Sequence, residues 1–268
     1  MRPFLKYPGN KYKVVNEIKK HFPKGKCLIE PFVGSGSVFL NTNYDEYVLS
    51  DINPHLINLY KILQKEGYSF ISYVEDYFRI ENNTKEKYIE FRHQFNDTTN
   101  IEEKSALFIY LNRHCFNGLV RYNHSGNFNV PFGKYNNPHF PANEMMNFYS
   151  KSQNATFLCR DFATIMTNAT KKDDVIYCDP PYFMATPTSN FASFNKEGFN
   201  LLDQERLRER SEFLSSKGVK ILISNVDTDF TRKFYLSANK IDSINVKRSI
   251  SAKKSSRIVV KELLVSYN

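Results

Sequence analysis

The chain has 268 residues, 41% hydrophobic and 15% aromatic, which is enough material for a sizeable core and excludes disorder as its main state. No apolar run nears the ~18 residues of a membrane span, no signal-peptide core opens the chain, and four scattered cysteines without a Cys-x-x-Cys pair argue against a zinc site or a disulfide framework, so the chain reads as cytosolic and reduced. The net charge of +9 is segregated, with +7 in residues 1–26, +4 in 104–143, +8 in 230–261 and −10 elsewhere, as a nucleic-acid-binding face requires, although three solvated Lys/Arg surfaces would give the same sums.

In chain order, Tyr12 to His21 reads as a helix with Val14, Val15 and Ile18 on one face. Lys26–Glu30 is a short buried-strand pattern that runs into Pro31-Phe32-Val33-Gly34-Ser35-Gly36-Ser37 and then an apolar helix start. A second strand, Tyr47–Ser50, ends at Asp51. Strand, glycine turn, helix and strand ending in an acid open a doubly wound α/β sheet.

From Leu59 to Phe95 the chain is charged and helical, and Lys104–Arg113 is a further helix. After Asn117-Gly118, the alternating runs Leu119–Asn123 and Asn127–Val130 flank His124-Ser125-Gly126, which predicts a hairpin. Strand character returns at Ala155–Cys159, Asp174–Cys178, Val219–Ser224 and Val259–Val265. The expected organisation is an α/β domain of residues 1–57 and 144–268 with an insert at 58–143. Two polar stretches, Thr186–Asn200 and Lys247–Arg257, read as mobile loops.

The strongest chemical signal is Asp179-Pro180-Pro181-Tyr182, directly after an apolar strand and so at the carboxyl edge of the predicted sheet. An aromatic amine is a poor nucleophile because its lone pair is delocalised into the ring. Two acceptors on its hydrogens draw that lone pair out. The Asp179 carboxylate and the Pro180 carbonyl are candidates, and the prolines stiffen the loop without adding a competing N–H. Tyr182 offers a face for a purine. A rigid Pro-Pro turn leaving a strand is the plainer alternative.

Gly34-Ser35-Gly36 with Asp51 at the end of the next strand fits a nucleoside cofactor whose ribose the acid would bind, and taken alone fits an ordinary glycine turn with a solvated Asp equally well. The loop lacks the third glycine of a dinucleotide fingerprint and the Gly-Lys-Ser/Thr of a P-loop. Phe4-Leu5-Lys6-Tyr7-Pro8-Gly9-Asn10-Lys11 is, by itself, only a basic turn before a helix.

Taken together these segments resemble the Dam family of DNA adenine methyltransferases, which methylate the adenine amine of GATC from S-adenosylmethionine. The matching segments are Phe4–Tyr12, Glu30–Leu40, Ser50–Asn53, Phe91–Asn96, Leu111–Arg113, Phe116–Tyr122, Phe128–Tyr135, Tyr177–Tyr182, Ile223–Asn225 and Val246–Ser251. Cofactor loop, insert and catalytic tetrapeptide follow in the alpha order.

The resemblance implies a Rossmann-like methyltransferase sheet with an inserted, mainly helical target-recognition domain that carries a β-hairpin. It implies that Asp179, Pro180, Pro181 and Tyr182 are catalytic. Tyr7, Lys11, Phe32, Gly34, Gly36, Asp51 and Asp179 would hold S-adenosylmethionine. Asp179 and Tyr182 would hold the flipped adenine, and Phe116 would wedge into the vacated stack. Leu119, Arg121 and Pro131 would read base edges, and Lys6 would reach the outer guanine. Arg92, Arg113, Asn117 and Lys134 complete the expected DNA-binding set.

The implied partner is GATC-containing duplex, bound by a monomer in the cytoplasm of a bacterial or phage-infected cell, with no metal and no membrane. The chain departs from the family pattern at Tyr7, Asn10, His114, Cys115 and Asn136. Phe162, after Asp161, falls where a contact to the cofactor adenine would lie. The rival readings are an amino-methyltransferase on another DNA site or on RNA, and a nucleic-acid-binding protein without catalysis.

Overall fold

A computed structural model describes residues 1–167, 171, 173–182, 199–249 and 257–268. The helices among them are α1 (Val15–Lys19), α2 (Pro54–Glu66), α3 (Tyr68–Glu75), α4 (Lys85–Asp97), α5 (Ile101–His114), α6 (Ala142–Ser152), α7 (Phe162–Thr167), α8 (Leu201–Ser216) and α9 (Asp229–Phe234). The strands are β1 (Cys27–Glu30), β2 (Glu46–Asp51), β3 (Ala155–Cys159), β4 (Asp174–Cys178), β5 (Lys220–Val226), β6 (Lys240–Ser249) and β7 (Arg257–Tyr267). The chain forms two compact units. A helical unit comprises Met1–Tyr12, Gly34–Asn41 and Asn53–Cys159, and a sheet unit comprises Lys13–Val33, Thr42–Ile52 and Arg160–Asn268.

In the sheet unit six strands lie in the order β2-β1-β4-β5-β7-β6. Strand β1 is parallel to β2 and β4, and β4 is parallel to β5, whereas β7 runs antiparallel to both β5 and β6. Strands β1 and β4 are buried at every position, as parallel strands covered on both faces must be, which is why they read as continuous apolar runs. Because the first four strands point the same way, their carboxyl ends share one edge. That edge carries Asp51 as the last residue of β2, Phe32 two residues past β1, and Asp179 directly after β4.

The helical unit is built around α5. Asn100 caps its first turn by accepting from the Glu102 and Glu103 N–H groups, and the Glu102 and Glu103 carboxylates at this end and Arg113 in the last turn complement the helix dipole. Every residue from Ser105 to His114 is buried, as expected of the unbroken run Ala106–Leu111. Helices α2, α3 and α4 pack on α5, and β3 packs on α2 and α6. The predicted hairpin is present as a tight reversal rather than a full ladder. Tyr122 bridges Phe128, the Asn123 N–H donates to the Asn127 carbonyl at 2.9 Å, and Gly126 turns the chain at φ +77.

Four expectations change. The apolar segment after Ser37 makes only a single 3-10 turn, Phe39–Asn41, instead of an α-helix. Strand β6 carries no strong apolar alternation and was not expected; its register against β7 supplies the pairing that its charged sequence does not advertise. Of the predicted loop Lys247–Arg257, the residues Lys247, Arg248 and Ser249 are strand and Arg257 opens β7, while 250–256 lie outside the described residues. Of Thr186–Asn200, residues 186–198 likewise lie outside them, and Asn200 is the N-cap of α8 in a reciprocal capping box with Asp203. Among the described residues no helix is long and apolar enough to cross a membrane, and no group of three His, Cys, Asp or Glu side chains is placed to hold a metal.

Candidate functional site

The carboxyl edge of the sheet unit holds the tetrapeptide. Asp179 is half-buried, Pro180 buried, Pro181 exposed and Tyr182 half-buried. The Pro181 carbonyl accepts from Gln204 Nε2 at 3.4 Å. Gln204 Oε1 in turn accepts from the Tyr235 hydroxyl at 3.1 Å and Asn225 Nδ2 at 3.4 Å, and all three side chains are buried. A buried amide is costly unless it is hydrogen-bonded, so this network ties the end of the tetrapeptide to α8 and β5. On the same edge the Val33 N–H donates to the Ser50 carbonyl at 2.8 Å, which holds the chain between Phe32 and the glycine turn against β2.

Phe32 stacks on Phe162 with centroids 5.3 Å apart and 27° between planes, and Phe199 meets Phe32 edge-on at 5.5 Å. The Arg206 guanidinium lies 4.9 Å from the Phe162 centroid and bonds Asp161 at 3.0 Å and Asp203 at 2.8 Å. Asp161, Phe162 and Arg206 thus form one side of an aromatic shelf beyond β1. Sequence reasoning flagged only Phe162 of these, because Arg206 is a helix residue with no local motif.

In the helical unit the glycine turn has Gly34 at φ +47 and Gly36 at φ +71, a region open to glycine at little cost. The Gly34 carbonyl accepts from the Tyr60 hydroxyl at 2.5 Å, and the Ser35 and Ser37 hydroxyls are 3.0 Å apart. A methyl group on Gly34 would stand 3.5 Å from the Tyr7 ring, so Tyr7 lies directly over the turn. Tyr7-Pro8-Gly9-Asn10 is closed by the Asn10 N–H donating to the Tyr7 carbonyl at 3.2 Å, with proline second and a positive-φ glycine third, the sequence rule of a type II turn. Lys11 is buried, and its ammonium reaches the Gly9 carbonyl at 3.3 Å.

All of the expected DNA-contacting residues fall in the helical unit. Phe116 is 50% exposed, unusual for a phenyl ring, and its turn is held open by three bonds. The Phe116 N–H donates to the Pro131 carbonyl at 2.8 Å, the Asn117 N–H to the Tyr135 hydroxyl at 3.0 Å, and the Leu119 N–H to the Phe116 carbonyl at 3.3 Å. Asn117 itself sits at φ +55 and Lys134 at φ +54, and such non-glycine positions concentrate at functional sites. Arg121 is exposed, with Nε donating to Asn129 Oδ1 at 2.7 Å and Nη2 to the Asn129 carbonyl at 3.2 Å.

Pro131 and Lys134 are exposed, and Leu119 is half-buried. Lys6 is half-buried with its ammonium 4.3 Å from the Tyr135 ring centroid, and burial, then the Arg113 charge, lower its pKa. Arg92 is half-buried and reaches the Val130 carbonyl at 3.3 Å. Arg113 differs from the rest of the set. It is buried, and its guanidinium donates inward to the His139 carbonyl at 3.0 Å and the Phe4 carbonyl at 3.3 Å.

A doubly wound sheet with an acid at the end of β2 and Asp-Pro-Pro-Tyr beyond β4, joined in sequence to a helical unit rich in cationic and exposed apolar side chains, defines a methyltransferase acting on nucleic acid. Residues 7–250 match the family model described as D12 class N6 adenine-specific DNA methyltransferase. The chain is 45% identical over 266 residues to a DNA adenine methylase of Salmonella typhi, covering 99% of this chain and 95% of that one. It is equally similar, 45% over 268 residues with the same coverage, to a DNA adenine methylase of Escherichia coli strain K12. A solved structure of a precorrin 8W decarboxylase from Methanobacterium thermoautotrophicum aligns with TM-score 0.42 at 12% identity, covering 98% of this chain and 93% of that one, too distant to bear on activity. The chain belongs to the D12 class of N6 adenine-specific DNA methyltransferases.

Proposed function

We propose that this DNA adenine methyltransferase acts on the adenine of GATC in duplex DNA, turned out of the helix, with S-adenosylmethionine as methyl donor. The observation that carries the reading is the exposed Phe116 on a turn braced by Pro131 and Tyr135, in the same unit as Lys6, Leu119 and Arg121. A fixed, half-exposed aromatic wedge offsets part of the few kcal/mol that unstacking a base costs. Lys6 and Arg121 carry the donors that match the major-groove acceptors of guanine, and the apolar Leu119 and Pro131 suit a thymine methyl. Arg92, Asn117 and Lys134 contact the DNA around that core, while Arg113 acts from inside by holding the Phe4 and His139 carbonyls.

The residues present suit the cofactor. The positive-φ turn at Gly34 and Gly36 leaves main chain uncovered beneath the Tyr7 ring, so an adenosyl amino acid has a flat wall and a close floor. Tyr7 and Lys11 hold it from the N-terminal segment. Asp51 accepts from ribose hydroxyls and Phe32 packs on it from the sheet edge. S-adenosylmethionine, when bound, supplies a methyl group on a positively charged sulfur that an amine nitrogen can displace in line. Asp179 and the Pro180 carbonyl accept from the two amine hydrogens of the target adenine and so localise its lone pair, and Tyr182 stacks on the ring. Asp179 also contacts the cofactor. The enzyme works as a monomer in the cytoplasm of a bacterial or phage-infected cell.

Radiolabelled methyl transfer to a GATC duplex tests this, with a CATC duplex and Asp179→Ala as controls. Transfer to GATC, little to CATC, and a loss of roughly 10²–10³ in rate for Asp179→Ala are expected. Equal transfer to both duplexes would remove the GATC assignment, and no transfer to any DNA would remove the whole reading.

A further inference from the structure

Asn112 has no place in the chemistry described so far, yet it is fully buried near the end of α5. Its carboxamide is spent entirely on main chain. Oδ1 accepts from the Lys6 N–H at 2.8 Å, while Nδ2 donates to the Lys6 carbonyl at 2.7 Å and to the Gly118 carbonyl at 3.2 Å. One side chain thus pairs both backbone groups of Lys6, as a neighbouring strand would, and uses its remaining donor on the turn that carries Phe116.

The Lys6 side chain continues the same assembly. A Cβ at Gly118, which sits at φ +65, would stand 2.3 Å from Lys6 Cβ and 2.7 Å from its Cδ. The Lys6 stem therefore lies across Gly118 and brings its ammonium to the face of Tyr135 at 4.3 Å and to the Arg113 carbonyl at 3.3 Å. The Tyr135 hydroxyl accepts from the Asn117 N–H at 3.0 Å, which returns the path to the Phe116–Gly118 turn.

We propose that Asn112 is a positioning residue for sequence readout, anchoring Lys6 and the Phe116–Gly118 turn to one buried point so that base reader and wedge keep a fixed spacing. The inference rests on the role given to Lys6 above. A lysine is a flexible chain that loses considerable side-chain entropy when it orders on a base edge. Fixing its backbone and laying its stem on Gly118 removes much of that loss beforehand. An untethered Lys6 still attracts phosphates, which need only charge, but no longer holds a directed bond to one guanine. Discrimination therefore suffers more than affinity.

The test compares kcat/KM on a GATC duplex with kcat/KM on the same duplex whose first G·C pair is replaced by A·T. Wild type, Lys6→Ala, Asn112→Ser and the isosteric Asn112→Asp are each measured on both. The ratio of the two values does not depend on the fraction of correctly folded enzyme, because both come from one preparation; a merely structural role for Asn112 leaves it unmoved. Wild type should prefer guanine by roughly ten- to a hundredfold, the range of one good base contact. Asn112→Ser and Asn112→Asp should each lower that ratio by about tenfold, toward the value for Lys6→Ala.

Asn112→Asp keeps the acceptor for the Lys6 N–H but turns an oxygen on two carbonyls, and it carries the test if the serine variant does not fold. If Lys6→Ala loses the preference while the Asn112 variants keep the wild-type ratio, the inference fails and the reading of Lys6 stands. If Lys6→Ala keeps the wild-type preference, the reading of Lys6 fails and takes this inference with it.

Discussion

The histidine at position 114 is one of the departures from the family pattern, and its surroundings make it behave as an aromatic residue. It is 2% exposed, stacks on Tyr110 with centroids 3.8 Å apart and 22° between planes, and meets Phe78 at 5.2 Å. Its Nδ1–H donates to the Tyr110 carbonyl at 2.8 Å, the tautomer a neutral ring requires. Burial pushes its pKa down to about 4; the Tyr110 carbonyl opposes that shift, and the charges of Lys6 and Arg113 add to it. The ordinary histidine value is about 6.5.

Below about pH 6.5 the unfolded chain takes up a proton that the folded chain refuses until about pH 4. The contribution is thus fully present above the unfolded value and is lost as pH falls through that window. A shift of this size amounts to roughly 3 kcal/mol by about pH 4. Urea unfolding of wild type and His114→Phe, followed by circular dichroism because the chain has no tryptophan, measures it. Wild type should lose roughly 3 kcal/mol more than His114→Phe between pH 7.5 and 4. Parallel pH dependences for the two proteins would refute the reasoning, since other groups titrate alike in both.

Three further outcomes are expected. Phe116→Ala removes the exposed wedge, so the fluorescence rise of 2-aminopurine at the target adenine should shrink and kcat/KM should fall by about tenfold or more; an undiminished rise would remove Phe116 from base extrusion. Tyr60→Phe deletes the bond to the Gly34 carbonyl, worth about 1 kcal/mol, and should raise the KM for the methyl donor by about fivefold with little change in DNA affinity, checked by steady-state kinetics and gel shift. Arg113→Met leaves the Phe4 and His139 carbonyls without their buried partner and should cost about 2–4 kcal/mol in urea unfolding; a loss below ~0.5 kcal/mol would place Arg113 back at the surface as a DNA contact.

Much of the catalytic edge was legible because its signals are local. The run Val175–Cys178 could only be a buried strand, and Asp179-Pro180-Pro181-Tyr182 had to follow it at the carboxyl end. The hairpin around His124-Ser125-Gly126 was legible from its turn residues, and Asn123 Oδ1 does accept from the Ser125 and Asn127 N–H groups there at 3.0 and 2.9 Å. The apolar stretch after Ser37 misled because a glycine turn and an apolar run look alike whether the chain goes on to form an α-helix or a single 3-10 turn. Gln204 gave no signal, and Asn112 entered only as part of the matching segment Leu111–Arg113, with no role attached. A lone amide in a helix pattern looks the same whether it faces water or pairs a distant carbonyl.

By itself, then, the amino-acid order determined which apolar segments are strands, where the glycine and proline turns fall, and which acid and aromatic side chains stand beyond those strands. These follow from φ restrictions, side-chain periodicity and capping, all acting over a few residues. Only the tertiary structure decided that Lys6 belongs with α5 and the Phe116 turn, that Arg113 points inward, and that the charged segment Lys240–Ser249 pairs along β7. The first two depend on pairing a buried polar or charged side chain with a carbonyl 26 to 109 residues away, and the third on main-chain pairing with a neighbouring strand, and no local rule carries that information.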